Sequence, residues 1–263
     1  MLGRDHALSG ALVFAGVAPL VGVTGLHLAA GVALTMGAGV LPDIDEPGST
    51  IARTFGFLTG AFAWIAHGLS GGHRKGTHSL IGVAALTAGA FWAASIQGSA
   101  WTAHGRLAHP WHLVPALVVL ALLFSAGFRA VHLGGHHGDA AGVLLAGLVV
   151  WKGWDLDLIT PPHWSLLTSW HVASTHVPVL AVCVALGMLA HIAGDMCTHD
   201  GCPLLYPFSR YEFGLLPEQM RITTNKLAEH WVVTPLLIAG LAFFAWQDYG
   251  HLLLATHGTL TGR

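Results

Sequence analysis

Long apolar runs recur along the chain, and they constrain its fold more than any other feature. All but one of the runs hold about 16 to 21 mostly apolar residues, close to the length at which an α-helix crosses the hydrocarbon core of a bilayer, and the run at 140–152 is shorter. Of the 263 residues, 54% are hydrophobic and only 9% are charged, and the mean hydropathy is +0.63. The 34 glycines agree with this pattern, because small residues allow membrane helices to approach closely. We therefore predict an all-α, polytopic helical membrane protein.

The runs predict about seven transmembrane helices plus one interfacial helix. The candidate spans cover residues 7–22, 26–41, 79–97, 111–128, 140–152, 176–196 and 231–247. Segment 51–69 is apolar enough to cross, yet it contains Arg53, His67 and several glycines, so we expect it to lie along the membrane surface. The sequence contains no repeat at the spacing of solenoid proteins. A single membrane-embedded domain is therefore expected for residues 1–263.

Charge and cysteine content argue against several classes of protein. The formal net charge is −2, which provides no general electrostatic attraction for nucleic acid. Cys183, Cys197 and Cys202 form no even set and no CxxC pair, so we expect reduced packing residues rather than a disulfide framework. The first apolar run lacks a small-residue cleavage site, and we expect it to remain as a helix.

The positive charges predict the orientation in the membrane. With residues 1–6 in the cytoplasm and segment 51–69 on the surface, eight of the eleven lysines and arginines face the cytoplasm. These eight are Arg4, Arg53, Arg74, Lys75, Arg129, Arg210, Arg221 and Lys226, whereas Arg106, Lys152 and Arg263 face outward. This asymmetry agrees with the positive-inside rule. If segment 51–69 crossed instead, His73 and His78 would lie across the membrane from Asp43 and Asp45.

Histidines and carboxylates cluster where apolar runs begin or end. The three clusters are Leu41-Pro42-Asp43-Ile44-Asp45, His73-Arg74-Lys75-Gly76-Thr77-His78-Ser79 and His191-Ile192-Ala193-Gly194-Asp195. His191 and Asp195 are four residues apart on a predicted helix, so their side chains share one face. Each cluster alone also fits an ordinary role, as a solvated turn, a cationic lipid anchor or a core histidine. Together they favour metal ligation, because a bound cation offsets the cost of holding such groups in a poorly hydrated place.

Seven side chains are the predicted metal ligands: His6, Asp43, Asp45, His73, His78, His191 and Asp195. A mixed set of histidine and aspartate without cysteine suits Zn²⁺ first and Mn²⁺ second. Seven ligands exceed the need of one tetrahedral ion, so we expect one or two ions. Arg74 lies between two of the histidines and can offer a guanidinium to an anionic substrate group.

These residues make the chain resemble the YdjM-like family of membrane-bound, metal-dependent hydrolases. The resemblance rests on His6 at the start of the first helix, the Leu41–Asp45 and His73–Ser79 blocks, and a C-terminal block. That block runs His191-Ile192-Ala193-Gly194-Asp195-Met196-Cys197-Thr198 and continues through Gly201-Cys202-Pro203-Leu204-Leu205-Tyr206-Pro207; Glu229 matches a later glutamate. The stretch between His78 and His191 is long for this family, so we expect a helical insertion at 98–175.

The resemblance implies a hydrolase that uses metal-activated water at the cytoplasmic face of a bacterial or archaeal inner membrane. In this interpretation Asp45 or Glu229 takes a proton, and Arg74 neutralises charge that develops on a substrate oxygen. A site at the membrane face favours an ester or phosphodiester of a lipid or a lipid-linked small molecule. The order of the histidines and carboxylates is also similar to that of the zinc-dependent phospholipase C group.

Two other functions fit part of the sequence. A divalent metal transporter would use the same residues to pass an ion, but it requires polar residues inside opposing spans, and here the carboxylates gather at span ends. A haem-binding membrane protein would use histidines at helix ends as axial ligands, without the accompanying carboxylates. The hydrolase accounts for both the histidines and the carboxylates.

Overall fold

The computed structural model of the protein describes residues 1–95, 114–133, 137–155, 170–172, 175–177 and 179–260. Eight α-helices run through these residues: α1 Gly3–Val17, α2 Gly25–Ala38, α3 Phe57–Ser70, α4 Leu80–Ser95, α5 Val114–Ala130, α6 Gly138–Asp155, α7 Val179–Met196 and α8 Thr234–Leu260. The predicted helical fold class is therefore confirmed. Part of the predicted insertion at 98–175, including Arg106, lies outside the described residues.

Short elements join the helices. Ala18–Val21, Leu41–Asp45, Ile51–Arg53 and Glu218–Met220 are 3₁₀ turns, and Glu229–Val233 is a π-helical turn that leads into α8. The strands β1 Trp170–Val172 and β2 Thr175–Val177 form a small antiparallel hairpin in which His171 pairs with His176. This hairpin is a departure from the purely helical prediction.

The predicted count of about seven spans is not confirmed. Among the described residues, three helical segments are long and apolar enough to cross a membrane: His27–Asp45, Val179–Met196 and Glu229–Tyr249. Leu80–Ala94, Val114–Ala130 and Gly138–Val150 are apolar but shorter. A helix of 15 to 17 residues rises about 23–26 Å, which is less than the roughly 30 Å of a hydrocarbon core. In α1 the cause is local, because Pro19 cannot continue an α-helix and the chain tightens into a 3₁₀ turn.

Helix α2 lies at the centre of the bundle and packs against α1, α5 and α7. Glycines allow these close approaches. A Cβ on Gly37 would overlap the carbonyl group of Leu123 in α5, and one on Gly10 would lie 2.5 Å from the carbonyl oxygen of Thr35. Large apolar side chains instead cover the outside of the bundle, as expected for helices that face lipid. Among them are Trp92, Leu144, Leu236, Phe243 and Trp246.

Helix α3 corresponds to the predicted interfacial helix. It packs beside the end of α2, because it contacts both the Leu41–Asp45 turn and the Ile51–Arg53 turn. On this contact side the His67 ring places Nδ1 2.8 Å from the backbone carbonyl oxygen of Asp45. Phe57, Leu58, Trp64 and Leu69 of the same helix are exposed. A surface position for α3 in the membrane stays a prediction.

Candidate metal centre

Four parts of the chain bring the seven predicted ligands to one end of the bundle. His6 lies in the first turn of α1, and Asp43 and Asp45 lie in the turn that follows α2. His73 and His78 precede α4, and His191 and Asp195 occupy the last two turns of α7. We call this end of the bundle, where α1 and α4 begin and α2 and α7 end, the site end.

The seven side chains form three overlapping groups that could each hold a metal ion. These groups are His6, His191 and Asp195; Asp43, His78 and His191; and Asp45, His73 and His78. Within each group the ligand atoms all lie within 4.8 Å of one another. Since His78 and His191 belong to two groups each, the cluster is continuous.

Four donor atoms converge at the middle of the cluster. The Nε2 atoms of His78 and His191 are 3.1 Å apart, and Asp43 Oδ1 lies 3.6 Å from each of them. Asp195 Oδ2 lies 3.5 Å from His191 Nε2 and 3.7 Å from His78 Nε2. The donors around a tetrahedral zinc ion, at metal–ligand distances of about 2.0–2.2 Å, are themselves about 3.3–3.6 Å apart. These five distances, 3.1–3.7 Å, are therefore close to those of a four-coordinate site.

Hydrogen bonds behind the two central histidines determine which ring nitrogen carries the proton. His191 Nδ1 lies 2.7 Å from the carbonyl oxygen of Gly39, which can only accept, so Nδ1 is protonated. The Thr77 hydroxyl donates to Asp45 Oδ2 and lies 3.0 Å from His78 Nδ1, so this nitrogen donates to the hydroxyl oxygen. When both rings are neutral, the two Nε2 atoms then direct lone pairs at each other. Two facing acceptors at 3.1 Å repel one another unless a cation lies between them.

The outer ligands support the inner ones. The His6 ring stacks on the His191 ring, with 3.6 Å between centroids, and His6 Nε2 lies 3.2 Å from Asp195 Oδ1. Asp45 Oδ1 lies 2.8 Å from His73 Nδ1. His6 Nδ1 is buried without a hydrogen-bond partner. His6, Asp45 and His73 therefore lie around the central four donors, where they can position them or bind a second ion.

Burial keeps two of the histidines in the neutral form that metal ions require. Burial lowers the pKa of His6 to about 4. Burial also lowers the pKa of His78. Burial opposes the charged form of His73 as well, but the hydrogen bond and charge of Asp45 outweigh it and raise the pKa of His73. Of these three histidines, His73 is therefore the one that is protonated most readily.

One side of the cluster opens to the surface. Asp43 is 21% exposed and His73 is 33% exposed, whereas the other five ligand side chains are almost fully buried. Arg74 stands at the same opening with 21% exposure, and its guanidinium bridges Asp195 Oδ1 at 3.2 Å and Asp200 Oδ2 at 2.7 Å. Asp200 is 70% exposed. Arg74 therefore joins the buried Asp195 to an aspartate at the surface.

Glu229 lies at the site end but makes different contacts from those expected of a free carboxylate. Its Oε1 accepts a hydrogen bond from the backbone N–H of Leu2, and its Oε2 accepts one from the backbone N–H of Asn225, both at 2.6 Å. The side chain is fully buried. These contacts fasten the start of α8 to the N-terminus, and a catalytic role for Glu229 stays a prediction.

Several residues of the site were missed by sequence reasoning. Thr77 relays a hydrogen bond between His78 and Asp45, and Gly39 supplies the carbonyl that orients His191. Asp5 is buried beside His6 and accepts a hydrogen bond from Thr234 at 2.7 Å. The position of Thr77 next to His78 was a usable signal. No such signal pointed to Gly39, because every residue has a backbone carbonyl and the sequence does not show which one will accept a hydrogen bond.

Comparison with known proteins identifies the family of the chain. The family model described as YdjM inner membrane protein matches residues 1–256, which is nearly the whole chain and includes the predicted insertion. This finding confirms the predicted family. No curated protein and no solved structure matches the chain.

Proposed function

The chain belongs to the family of YdjM inner membrane proteins, and we propose that it is a metal-dependent hydrolase of that membrane. The proposed reaction is the hydrolysis of an ester or phosphodiester, carried by a lipid or a lipid-linked small molecule, at the cytoplasmic face. Zn²⁺ is the proposed ion, at one or two per chain, with Mn²⁺ as the second choice.

The observation that carries the proposal is the pair of Nε2 atoms of His78 and His191, which face each other with both lone pairs directed inward. Asp43 and Asp195 add two oxygens at matching distances. Two nitrogens, two oxygens and no cysteine are a donor set of the kind that binds Zn²⁺. When bound, such an ion supplies a Lewis acid that activates water and stabilises negative charge on an oxygen.

The residues at the opening have roles that follow from their charge and contacts. Arg74 can turn from the exposed Asp200 to an anionic oxygen of the substrate while its second nitrogen stays on Asp195. Asp45 is the proposed proton acceptor, since it already bonds His73 and Thr77 and retains lone pairs for a further donor. Glu229, with both oxygens on backbone amides, is the less favourable of the two acceptors.

Charge at the site end supports a cytoplasmic orientation. Every arginine and lysine side chain that the structure describes belongs to a segment at this end: Arg4, Arg53, Arg74, Lys75, Arg129, Arg210, Arg221 and Lys226. By the positive-inside rule this end faces the cytoplasm. The exposed apolar side chains of α3 lie next to the Leu41–Asp45 turn, and this arrangement supports a substrate that approaches from the lipid.

The decisive experiment combines metal analysis with hydrolysis. Purified protein is expected to contain one or two zinc ions per chain and to hydrolyse at least one phospholipid or generic phosphodiester or ester analogue presented in detergent or lipid. His78→Ala and Asp195→Asn should each lower metal occupancy and abolish hydrolysis. His199→Ala, which changes an exposed histidine at the same end, should do neither. Wild-type protein that hydrolyses none of these compounds, yet carries metal ions into proteoliposomes, would be a transporter instead.

A further inference from the structure

A cavity of about 320 Å³ lies at the site end, and none of the seven predicted metal ligands lines it. Its walls come from the loop that follows Asp45 and from residues at the end of α5 and the start of α6. The lining side chains are mainly polar, and those that matter here are Ser49, Thr50, Arg53, Arg129, His132 and Asp139. This cavity is therefore distinct from the metal centre, although both use the same end of α2.

Charge in the cavity is positive. Arg129 Nη1 forms an ion pair with Asp139 Oδ2 at 2.9 Å, so these two charges offset each other. The guanidinium of Arg53 is exposed and makes no ion pair within the part of the chain that the structure describes. The Glu46 carboxylate also lies next to Gly48, but it does not line the cavity and forms no ion pair with Arg53. Among the lining side chains Arg53 is therefore the charge that an anionic ligand can pair with.

Further donors surround this charge. Ser49 Oγ accepts a hydrogen bond from the backbone N–H of Ala52 at 3.2 Å, so its own hydroxyl proton is available to a ligand. The N-terminus of α6 also lies at the cavity wall, but the carboxylate of Asp139 in its first turn already faces the partial positive charge there. The guanidinium of Arg53 and the hydroxyl of Ser49 are therefore the donors that match the acceptor oxygens of a phosphate group.

Hydrogen bonds between its walls preform the cavity without a ligand. Arg129 Nη1 donates to the backbone carbonyl oxygens of Arg53 at 2.9 Å and Thr54 at 3.4 Å. These bonds join the α5–α6 turn to the loop after Asp45, so the two walls cannot separate without breaking them. Thr50 also lies close to Gly3 in α1, which anchors the loop from its other side. A preformed site loses less conformational freedom when it binds.

We propose that this cavity binds the phosphate group of an anionic ligand, either the phosphate of a phospholipid headgroup or free phosphate. The volume falls within the range of about 300–1,000 Å³ that is usual for small-ligand sites. The cavity lies at helix ends, the level at which lipid headgroups meet a membrane protein. The site requires no metal ion, so it goes beyond the proposed hydrolase activity and does not depend on it.

The test uses the full chain in detergent with EDTA present, so that phosphate cannot coordinate a metal ion. Three probes are titrated and their affinities measured by calorimetry: dioctanoyl phosphatidic acid, inorganic phosphate and dioctanoylglycerol, which lacks the phosphate. Wild-type protein should bind a phosphate probe and not dioctanoylglycerol. Arg53→Gln should weaken this binding roughly tenfold or more, because one charged hydrogen-bond donor is lost. Lys75→Gln, which removes an exposed cation of the same end, should leave it unchanged.

Each result decides the proposal. Binding of phosphatidic acid alone supports a headgroup site, and binding of inorganic phosphate as well supports a site for free phosphate. The proposal is overturned if neither probe binds, if dioctanoylglycerol binds equally well, or if Arg53→Gln binds like the wild type. An equal loss in Lys75→Gln would also overturn it, since general surface charge would then be the cause. Gel filtration of both variants shows that they remain folded.

Discussion

The Nδ1 atom of His191 donates a hydrogen bond to the backbone carbonyl oxygen of Gly39 across 2.7 Å. Gly39 follows α2, and a Cβ at this position would overlap the backbone carbonyl of His6 in α1. The same glycine therefore lets α1 approach the end of α2 and orients the ring of His191 in α7. Two helices that carry predicted metal ligands, α1 and α7, thus meet the end of α2 at a residue that has no side chain.

Replacing Gly39 by alanine should damage the metal centre although it removes no ligand. The added methyl group forces α1 away from the end of α2 and moves His6 relative to His191. We expect lower zinc occupancy in the Gly39→Ala protein, measured by elemental analysis, and a lower melting temperature in detergent. Gly89→Ala in α4 is the matched control, because nothing lies within 4 Å of the new Cβ. Full zinc occupancy in Gly39→Ala would show that the contact is not needed.

Replacing Thr77 by valine should weaken metal binding while all seven ligands remain. The valine cannot accept from His78 Nδ1 or donate to Asp45, so the His78 ring loses its fixed tautomer. Loss of such a supporting hydrogen bond typically lowers metal affinity about 10- to 100-fold, and competition with a zinc chelator measures it. Thr87→Val is the control, since the Thr87 hydroxyl has no hydrogen-bond partner. Equal affinities for the two variants would contradict the assigned tautomer.

Replacing Arg74 by alanine should separate catalysis from metal binding. Arg74 bonds the outer oxygen of Asp195, whereas the other oxygen of Asp195 faces His191 and His78, so metal is expected to stay. Removing a group that stabilises charge in the transition state typically lowers the rate about 10²- to 10⁴-fold. Lys75→Ala, at the exposed neighbouring position, should retain activity. Arg74→Ala protein that hydrolyses at the wild-type rate would exclude the proposed role.

Replacing Glu229 by glutamine tests whether this residue is catalytic or structural. Either orientation of the new amide places its NH₂ group against a backbone N–H, from Leu2 or from Asn225. A buried donor left without an acceptor costs about 1–3 kcal/mol, so the melting temperature should fall while metal is retained. Glu218→Gln, an exposed change at the same end, should have no effect. A rate loss of 10²-fold or more at an unchanged melting temperature would instead identify Glu229 as a proton acceptor.

Reporter fusions test the orientation of the site end. A reporter placed after Lys226 should behave as cytoplasmic, because the segment between α7 and α8 lies at the site end with the clustered cations. A reporter placed near Arg106 should behave as external. If both reporters fall on the same side, the assignment of membrane spans is wrong. If the two are exchanged, the metal centre faces outward.

Several features of the protein could be predicted from local sequence. The helical class follows from the length and apolarity of the runs, because a helix satisfies its own backbone hydrogen bonds within one segment. His191 and Asp195 could be paired from their spacing, since residues four apart share a helix face. The three clusters of histidines and carboxylates could be recognised because each lies within a few consecutive residues of the sequence.

The lengths of the helices were harder to predict than their existence. Apolar residues continue past Val17, but Pro19 converts the chain to a 3₁₀ turn and α1 stays short. The count of about seven spans, which was predicted from apolarity alone, is therefore not confirmed.

Only the tertiary structure decided the mutual orientation and the protonation of the predicted ligands. The hydrogen bond from His191 to Gly39 joins residues 152 positions apart, and the one from Leu2 to Glu229 joins residues 227 positions apart. Both bonds end on or begin from the backbone, which every residue possesses, so no residue type signals them in advance. The sequence by itself determined a helical membrane protein with histidines and aspartates at its helix ends. The packing of α1, α2 and α7 decided which nitrogens and oxygens face each other, because proton positions and donor spacing depend on contacts between distant segments.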